Sequence, residues 1–383
     1  MDKALIGTTR RVNPVTKTVD FTRISSNGSH NPNLNVNQRE SVIYRLHPEL
    51  ETGRLIHQIG TSNPETAVQA AKLIASDVAG IDVNAGCPKP FSTTGGMGAA
   101  LLKTPDKLCS ILRALVEEVG KPFEIGISVK IRLLDTPEQT AELVRNLVAT
   151  GITGLTLHCR TTPMRPRERA IRDQLRMVGD ICREAGVACL MNGDVTSRDQ
   201  ALQLASDYGV DGGMIATAAE TNPSCFRSET DGGLASWEDT VKEYVTLAMS
   251  VENRWGNTKY LLGQMIPGKS PLYRSMTQSK SYSELVKVFD YDQELVALAE
   301  LVDRRLEIDT AKKETRAEKK AKNKAGAKDN TRPRAKEVGV PAEQQPSLKR
   351  KADAAELDAM PPDIARETAP GSVVSDQSSI LAV

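Results

Sequence analysis

The segment Asn84–Leu102, NAGCPKPFSTTGGMGAALL, gathers the residues best suited to chemistry. An apolar run, Gly80–Cys87, ends in a cysteine, and Pro88, Lys89 and a Gly95-Gly96-Met97-Gly98 turn follow it. In parallel α/β folds the active site gathers at the C-terminal ends of the strands. A cysteine there is expected to be exposed and able to act as nucleophile or proton donor. Thiols as a class keep their proton at neutral pH, which suits a donor. Other apolar runs end in Gln58, Lys130, Arg132, His158, Arg160, Asn192 and Asp194. One such residue means little, but five successive strands ending this way line a pocket. The last two runs end in Asn192-Gly193-Asp194 and Ala216-Thr217-Ala218-Ala219, whose small residues let backbone N–H groups approach an anion. The loops after strands seven and eight of a barrel are a recurrent phosphate site, so a phosphate-bearing cofactor is the expected occupant.

These residues need a scaffold, and the sequence supplies one by repetition. The apolar runs Arg54–Gly60, Gly80–Cys87, Ile125–Arg132, Gly154–Arg160, Ala188–Asp194 and Gly212–Ala219 alternate with helical stretches. Ser62-Asn63-Pro64, Thr104-Pro105-Asp106 and Asp135-Thr136-Pro137 each place a capping side chain before a proline, the signature of a helix start. Gly80, Gly120 and Gly151 stand where C-terminal caps belong. Alternating strands and helices imply a parallel sheet, open or closed. Ahead of this block, Val19–Ile24 and Ser41–Leu46 read as a hairpin around the polar loop Ser25–Asn37. Behind it, Trp237–Val251 and Ser283–Arg305 read as amphipathic helices of a helical appendage.

The GCPK…GGMGAALL string resembles the signature of the tRNA-dihydrouridine synthases, especially the eukaryotic class acting at position 20 of the D-loop. HQIGTSNPE, ISVKIRLL, TLHCR, MNGD, MIATAAETNPSCF and NTKYLL support it in the same order, over roughly residues 1–310. The resemblance implies an α/β fold, an FMN-dependent (β/α)8 TIM barrel over residues 1–222 with a small helical tRNA-binding domain over 223–310. The implied reaction reduces the C5=C6 bond of a tRNA uridine with NADPH or NADH as reductant. By matching positions, Cys87 is the acid that protonates C5 after hydride reaches C6, Lys130 lies by the flavin ring and Gln58 hydrogen-bonds it. His158, the turn Asn192, Gly193 and Asp194, and the backbone of Ala216 and Thr217 hold the ribityl phosphate. Lys89, Arg160, Arg165 and Lys259 contact RNA, and the uracil leaves its stack to reach the mouth. Three departures stand out. The family's first strand, its Ala-Pro-Met loop and its second strand are missing, so six barrel strands are expected where eight belong, in a chain truncated at its front. Ala216-Thr217 replaces the usual Ala-Arg, and no double-stranded-RNA module follows. The alternatives are a flavin barrel acting on a small pyrimidine or other enone, and a non-catalytic RNA-binding relic.

The net charge of +1 conceals an uneven distribution: residues 1–310 carry 35 Lys and Arg against 38 Asp and Glu, residues 311–351 carry 14 against 5, and residues 352–383 carry 1 against 6. Neutrality therefore does not exclude a nucleic-acid partner. From Ala311 onward there is no aromatic residue, and 311–383 reads as a disordered charged tail. The six cysteines include no C-x-x-C pair and the four histidines are scattered, so neither metal nor disulfide framework is expected. No apolar run approaches the ~18 residues of a membrane span and no apolar stretch follows Met1, so neither membrane nor secreted protein is expected. Lys349-Arg350-Lys351 with Arg332, Arg334 and Lys336 resembles a nuclear import signal, and Arg10 and Arg11 resemble a mitochondrial presequence. A monomer working in the cytoplasm, the nucleus or both is the expectation.

Overall fold

A computed structural model of the chain describes residues 2–24 and 40–308. The expected loop Ser25–Asn37 and the charged tail lie outside the described residues. Three strands come first: β1 (Thr9–Val12), β2 (Val19–Ile24) and β3 (Glu40–Leu46), paired antiparallel in the order β1-β2-β3. The hairpin is thus one strand larger than the sequence indicates. Every residue of β1 is exposed, so no apolar alternation announces it; pairing to β2 and two ion pairs, Arg10–Asp77 at 2.6 Å and Arg11–Glu40 at 2.7 Å, hold it. Arg10 and Arg11 sit on this strand.

The next six strands are β4 (Ile56–Ile59), β5 (Gly80–Asn84), β6 (Gly126–Leu133), β7 (Gly154–Thr161), β8 (Ala188–Asn192) and β9 (Gly212–Met214). They pair in parallel and in sequence order as a curled sheet, part of a (β/α)8 barrel. Between them run α1 (Pro64–Ile74), α2 (Pro105–Leu115), α3 (Pro137–Val148), α4 (Leu175–Glu184) and α5 (Arg198–Tyr208). Asn63 and Thr136 cap their helices by accepting from the N–H groups of Thr66 and Gln139, with Pro64 and Pro137 in the first turn; Thr104 precedes Pro105 without a side-chain cap. Gly151 has the left-handed backbone of a helix end, φ +86°. Gly80 and Gly120 serve a different purpose. A Cβ at Gly80 would stand 2.9 Å from the Gly126 carbonyl oxygen, and one at Gly120 would stand 2.9 Å from the Ile127 side chain, so both permit close packing rather than a cap.

Alternation within the strands divides the sheet. Ile81, Val83, Ile127, Val129, Ile131, Leu155, Leu157, Cys159, Cys189 and Met191 are buried in the core shared with the helices. The intervening residues are Asp82, Asn84, Ser128, Lys130, Arg132, Thr156, His158, Arg160 and Asn192. Parallel strands buried on both faces ordinarily read as continuous apolar runs. A polar inner face therefore marks the side of the sheet that holds the site.

The helical part has its own core, built from Val241, Val245, Met249, Leu262, Met265, Tyr282, Leu285, Val286, Ala299 and Val302. Its helices are α6 (Trp237–Ser250), α7 (Trp255–Met265), α8 (Pro271–Gln278), α9 (Tyr282–Val288) and α10 (Gln293–Arg305). The single helix expected over Ser283–Arg305 is broken at Asp290, where φ is +52°, and restarts with Asp292 capping α10. Arg45 clasps this part to β2: its guanidinium makes two 2.6 Å bonds to the Asp20 carboxylate and donates to the carbonyls of Val251 and Glu252.

Candidate active site

Cys87 lies three residues beyond β5, half-buried, while the other five cysteines are buried. Its loop is fastened on both sides. The Asn84 Oδ1 accepts from the N–H groups of Gly86 (3.2 Å) and Cys87 (3.0 Å). The Gly86 carbonyl accepts from Arg132 Nε at 2.7 Å, and the Cys87 carbonyl accepts from the Ala99 N–H at 2.9 Å. The glycine-rich string follows from this closure. Gly98 has φ +58°, and a Cβ there would stand 2.5 Å from the Cys87 carbonyl oxygen and would overlap Ser92 Oγ. Glycine is the residue that meets both demands.

Register assembles the polar side chains into rows. Gln58, Asp82 and Ser128 form one row; Asn84, Lys130 and Thr156 form the next; Arg132, His158, Asn192 and Met214 form the third. Asp82, 6% exposed, accepts from Gln58 Nε2 and Ser128 Oγ, both at 2.7 Å. Burial pushes its carboxyl up, and the two donors and Lys130 oppose the push. Burial and the neighbouring Arg132 pull the Lys130 ammonium down to about 8, with Asp82 and Cys87 partly offsetting them. Among the described residues, nothing accepts a hydrogen bond from Lys130 Nζ.

His158 is held neutral, its pKa pulled down to about 3 by burial and by Lys130, Arg132 and Arg160. Arg160 can only donate, so its 3.3 Å contact makes His158 Nε2 the acceptor and places the ring proton on Nδ1. Burial likewise pulls His57 down to about 4. Both rings bind protons more weakly folded than unfolded, so stability is fully present above about pH 6.5 and is lost as pH falls toward 4. The urea midpoint is expected to drop between pH 7 and pH 5, and His158→Gln is expected to flatten that slope.

Arg160 corrects the sequence reading. It was expected to contact RNA, yet it is 5% exposed and its guanidinium makes four bonds within the chain. Its nitrogens donate to the carbonyls of Glu168 (2.7 Å) and Pro166 (3.0 Å), to His158 and to Asp194 Oδ1 (2.5 Å). Asp194 Oδ2 accepts the Ala170 N–H at 2.7 Å; burial works against this carboxylate, but Arg160 and Ala170 hold it below the usual range. Gly193, φ +116°, fits against Ala170, His158 and Arg160, and its carbonyl accepts from Arg172 at 2.8 Å. Asn192 donates to the Met214 carbonyl at 3.0 Å. The Asn192–Asp194 turn is thus locked by internal bonds.

The last strand is shorter than its apolar run. It ends at Met214, and the exposed Ala216 and Thr217 open a five-residue helix, Thr217–Thr221. Lys89 and Arg165 are exposed. Lys259 is half-buried and donates to the Ser279 carbonyl at 2.9 Å, joining α7 to the end of α8. The sequence reading passed over Asp82, Ser128 and Arg172, the first two of which lie inside strands rather than in the loops beyond them. A cleft of about 900 Å³ lined by Tyr44, Arg45, Trp255 and Arg305 contains none of the strand-end residues. Among the described residues, no group of three or more His, Cys, Asp or Glu is placed to hold a metal ion, and no helix is long and apolar enough to cross a membrane.

The fold and site define a βα-barrel protein with a half-buried lysine on its polar inner face and a thiol in the loop at the end of that face. Residues 32–320 match the model of the family described as dihydrouridine synthase (Dus), and the chain belongs to that family. It is 47% identical over 297 residues to the Schizosaccharomyces pombe tRNA-dihydrouridine(20) synthase [NAD(P)+], covering 76% of this chain and 58% of that protein. It is 42% identical over 292 residues to the Saccharomyces cerevisiae tRNA-dihydrouridine(20) synthase [NAD(P)+], covering 74% and 73%. An uncharacterised tRNA-dihydrouridine synthase-like protein of Caenorhabditis elegans is 32% identical over 231 residues, covering 60% and 77%. The chain therefore spans little more than half of the fission-yeast relative and about three quarters of the other two.

Proposed function

We propose that the chain reduces the C5=C6 bond of a D-loop uridine in tRNA, at position 20, with FMN as resident cofactor and NADPH or NADH as reductant. The observation that carries this reading is Cys87: a half-exposed thiol anchored by its own backbone at the end of a polar inner face that also holds Lys130. The residues fit a flavin, because Lys130 is a half-buried cation with no hydrogen-bond acceptor among the described residues, and an anionic ring system would satisfy it. Bound flavin would supply the hydride. Lys130 and Gln58 would hold the ring, and His158, neutral and fixed as a single tautomer, would lend a donor toward the phosphate. Cys87 would hold a proton at Sγ for C5 of the uracil, and Arg132, through the Gly86 carbonyl, would keep that sulfur in place. Lys89 and Arg165, both exposed, would meet tRNA phosphates. Work in the cytoplasm and the nucleus is part of the proposal and rests on the basic clusters around Arg334 and Arg350.

The test incubates the purified full chain with unmodified tRNA transcript and NADPH. The expected result is bound flavin and a tRNA that gains two hydrogens at a single D-loop uridine. Flavin with turnover of free uracil derivatives alone would replace tRNA as the substrate. Protein that takes up no flavin and changes no tRNA would overturn the reading in favour of RNA binding without catalysis.

A further inference from the structure

A chain of side-chain amides links the buried carboxylate of Asp82 to the backbone of the cysteine loop. Ser128 Oγ and Gln58 Nε2 both donate to Asp82, each at 2.7 Å. Gln58 Oε1 accepts from Asn84 Nδ2 at 2.8 Å. Asn84 Oδ1 in turn accepts the N–H groups of Cys87 at 3.0 Å and Gly86 at 3.2 Å.

Both ends of this chain run one way. A backbone N–H can only donate, so Asn84 must turn its oxygen toward Gly86 and Cys87, and its NH2 toward Gln58. A carboxylate oxygen can only accept, so Gln58 must turn its NH2 toward Asp82 and its oxygen toward Asn84. Rotating either amide would set oxygen against oxygen and N–H against N–H at two contacts. Protonation of Asp82 does not alter this: the Ser128 hydroxyl can accept a hydrogen bond from a protonated Oδ1, and Oδ2 remains the acceptor facing Gln58. Side-chain amides otherwise choose their orientation by local circumstance; here the choice is dictated from strand β5.

We infer that Asp82 is a positioning residue, which through Gln58 and Asn84 sets the direction of both amides and so anchors the Gly86–Cys87 peptide that carries the thiol. It touches none of the reacting atoms. Its catalytic meaning rests on the reading of Cys87 as proton donor, but the relay itself does not, and its test uses neither tRNA nor flavin.

The relay makes a prediction about compensation. Asp82→Asn keeps the chain intact, because the new amide can turn its oxygen to Gln58 and its NH2 to the Ser128 hydroxyl. Asn84→Asp breaks it, because carboxylates at positions 82 and 84 then both require the single NH2 of Gln58. The double variant restores full pairing in the reverse direction. Gln58 then donates to the carboxylate at position 84 and accepts from the amide at position 82, while that carboxylate still accepts from Gly86 and Cys87. Hydrogen–deuterium exchange of the peptide containing Gly86 and Cys87, with the urea midpoint of the same samples, reads this. Asn84→Asp is expected to speed exchange there at least tenfold, and adding Asp82→Asn is expected to recover most of the lost protection. If Asn84→Asp yields no folded protein, recovery of folded protein by the second substitution is the same positive result. A double variant as unprotected as Asn84→Asp, unchanged protection in Asn84→Asp, or protection lost equally across every peptide would each overturn the relay.

Discussion

Cys87→Ala is expected to slow dihydrouridine formation by about 10²–10⁴-fold, the usual contribution of a positioned acid, with flavin content and tRNA affinity unchanged. In the proposed reaction, hydride delivery to C6 would leave electron density at C5, and the reaction would complete only when a proton arrives there. No other cysteine can substitute, because Cys109, Cys159, Cys182, Cys189 and Cys225 are all buried. Burial also pushes the Cys159 thiol up to about 11, so it holds its proton firmly behind β7. The loop should survive the substitution, since its bonds to Asn84, Arg132 and Ala99 are made by backbone atoms. Cys87→Ser should remain nearly as slow, because a hydroxyl is a far weaker acid. Single-turnover assays on the flavin-loaded protein check this, and an unaltered product yield would remove Cys87 from the acid's role.

Arg160→Ala is expected to cost about 1–3 kcal/mol of stability, since it removes the donor from the part-buried bonds to the carbonyls of Pro166 and Glu168, which water reaches only in part. Asp194 is 43% exposed in its side chain, so solvent takes over much of that partner and the figure stays below that of a fully buried pair. Lysine should not rescue, because one ammonium cannot serve four acceptors arranged around a planar fork. Salt dependence separates this residue from a true RNA contact. Arg165→Ala should reduce the slope of log affinity for tRNA against log salt by about one, whereas Arg160→Ala, assayed below its unfolding temperature, should leave the slope unchanged. Equal slopes for the two variants would contradict the assignment of Arg165 to the RNA surface.

The cysteine loop was legible because several constraints converge on a few residues. Gly98 meets both a left-handed backbone and a close carbonyl, and the loop needs a strand behind it. The strand ends were legible for the same reason, since Lys130, His158 and Asn192 interrupt apolar runs. Asp82 was not, because GIDVN reads as one apolar run when only its end is inspected. The signal was nevertheless present: IDVN, ISVKIR and LTLHCR alternate, and alternation is out of place in strands with helices behind them unless the other face is polar. Arg160 misled through its position. An arginine at a strand end looks outward in sequence, but here the segment after β7 folds back and supplies carbonyls to surround it. Strand β1 and helices α7 and α8 escaped because their apolar residues are too few or too scattered to show a period.

Arg45 bears on how the chain is made. Its two bonds to Asp20 link residues 25 positions apart and can form as soon as β2 and β3 leave the ribosome. Its remaining bonds wait for Val251 and Glu252, which follow 206 and 207 positions later. At translation rates of about 5–20 residues per second that interval is roughly 10–40 s. Throughout it, the face of β3 that will meet the helices stands open with part of a guanidinium unpaired, while the βα units behind it are still emerging. The clasp therefore closes among the last of these tertiary bonds to form, and it joins β2 and β3 to helices synthesised after the six parallel strands.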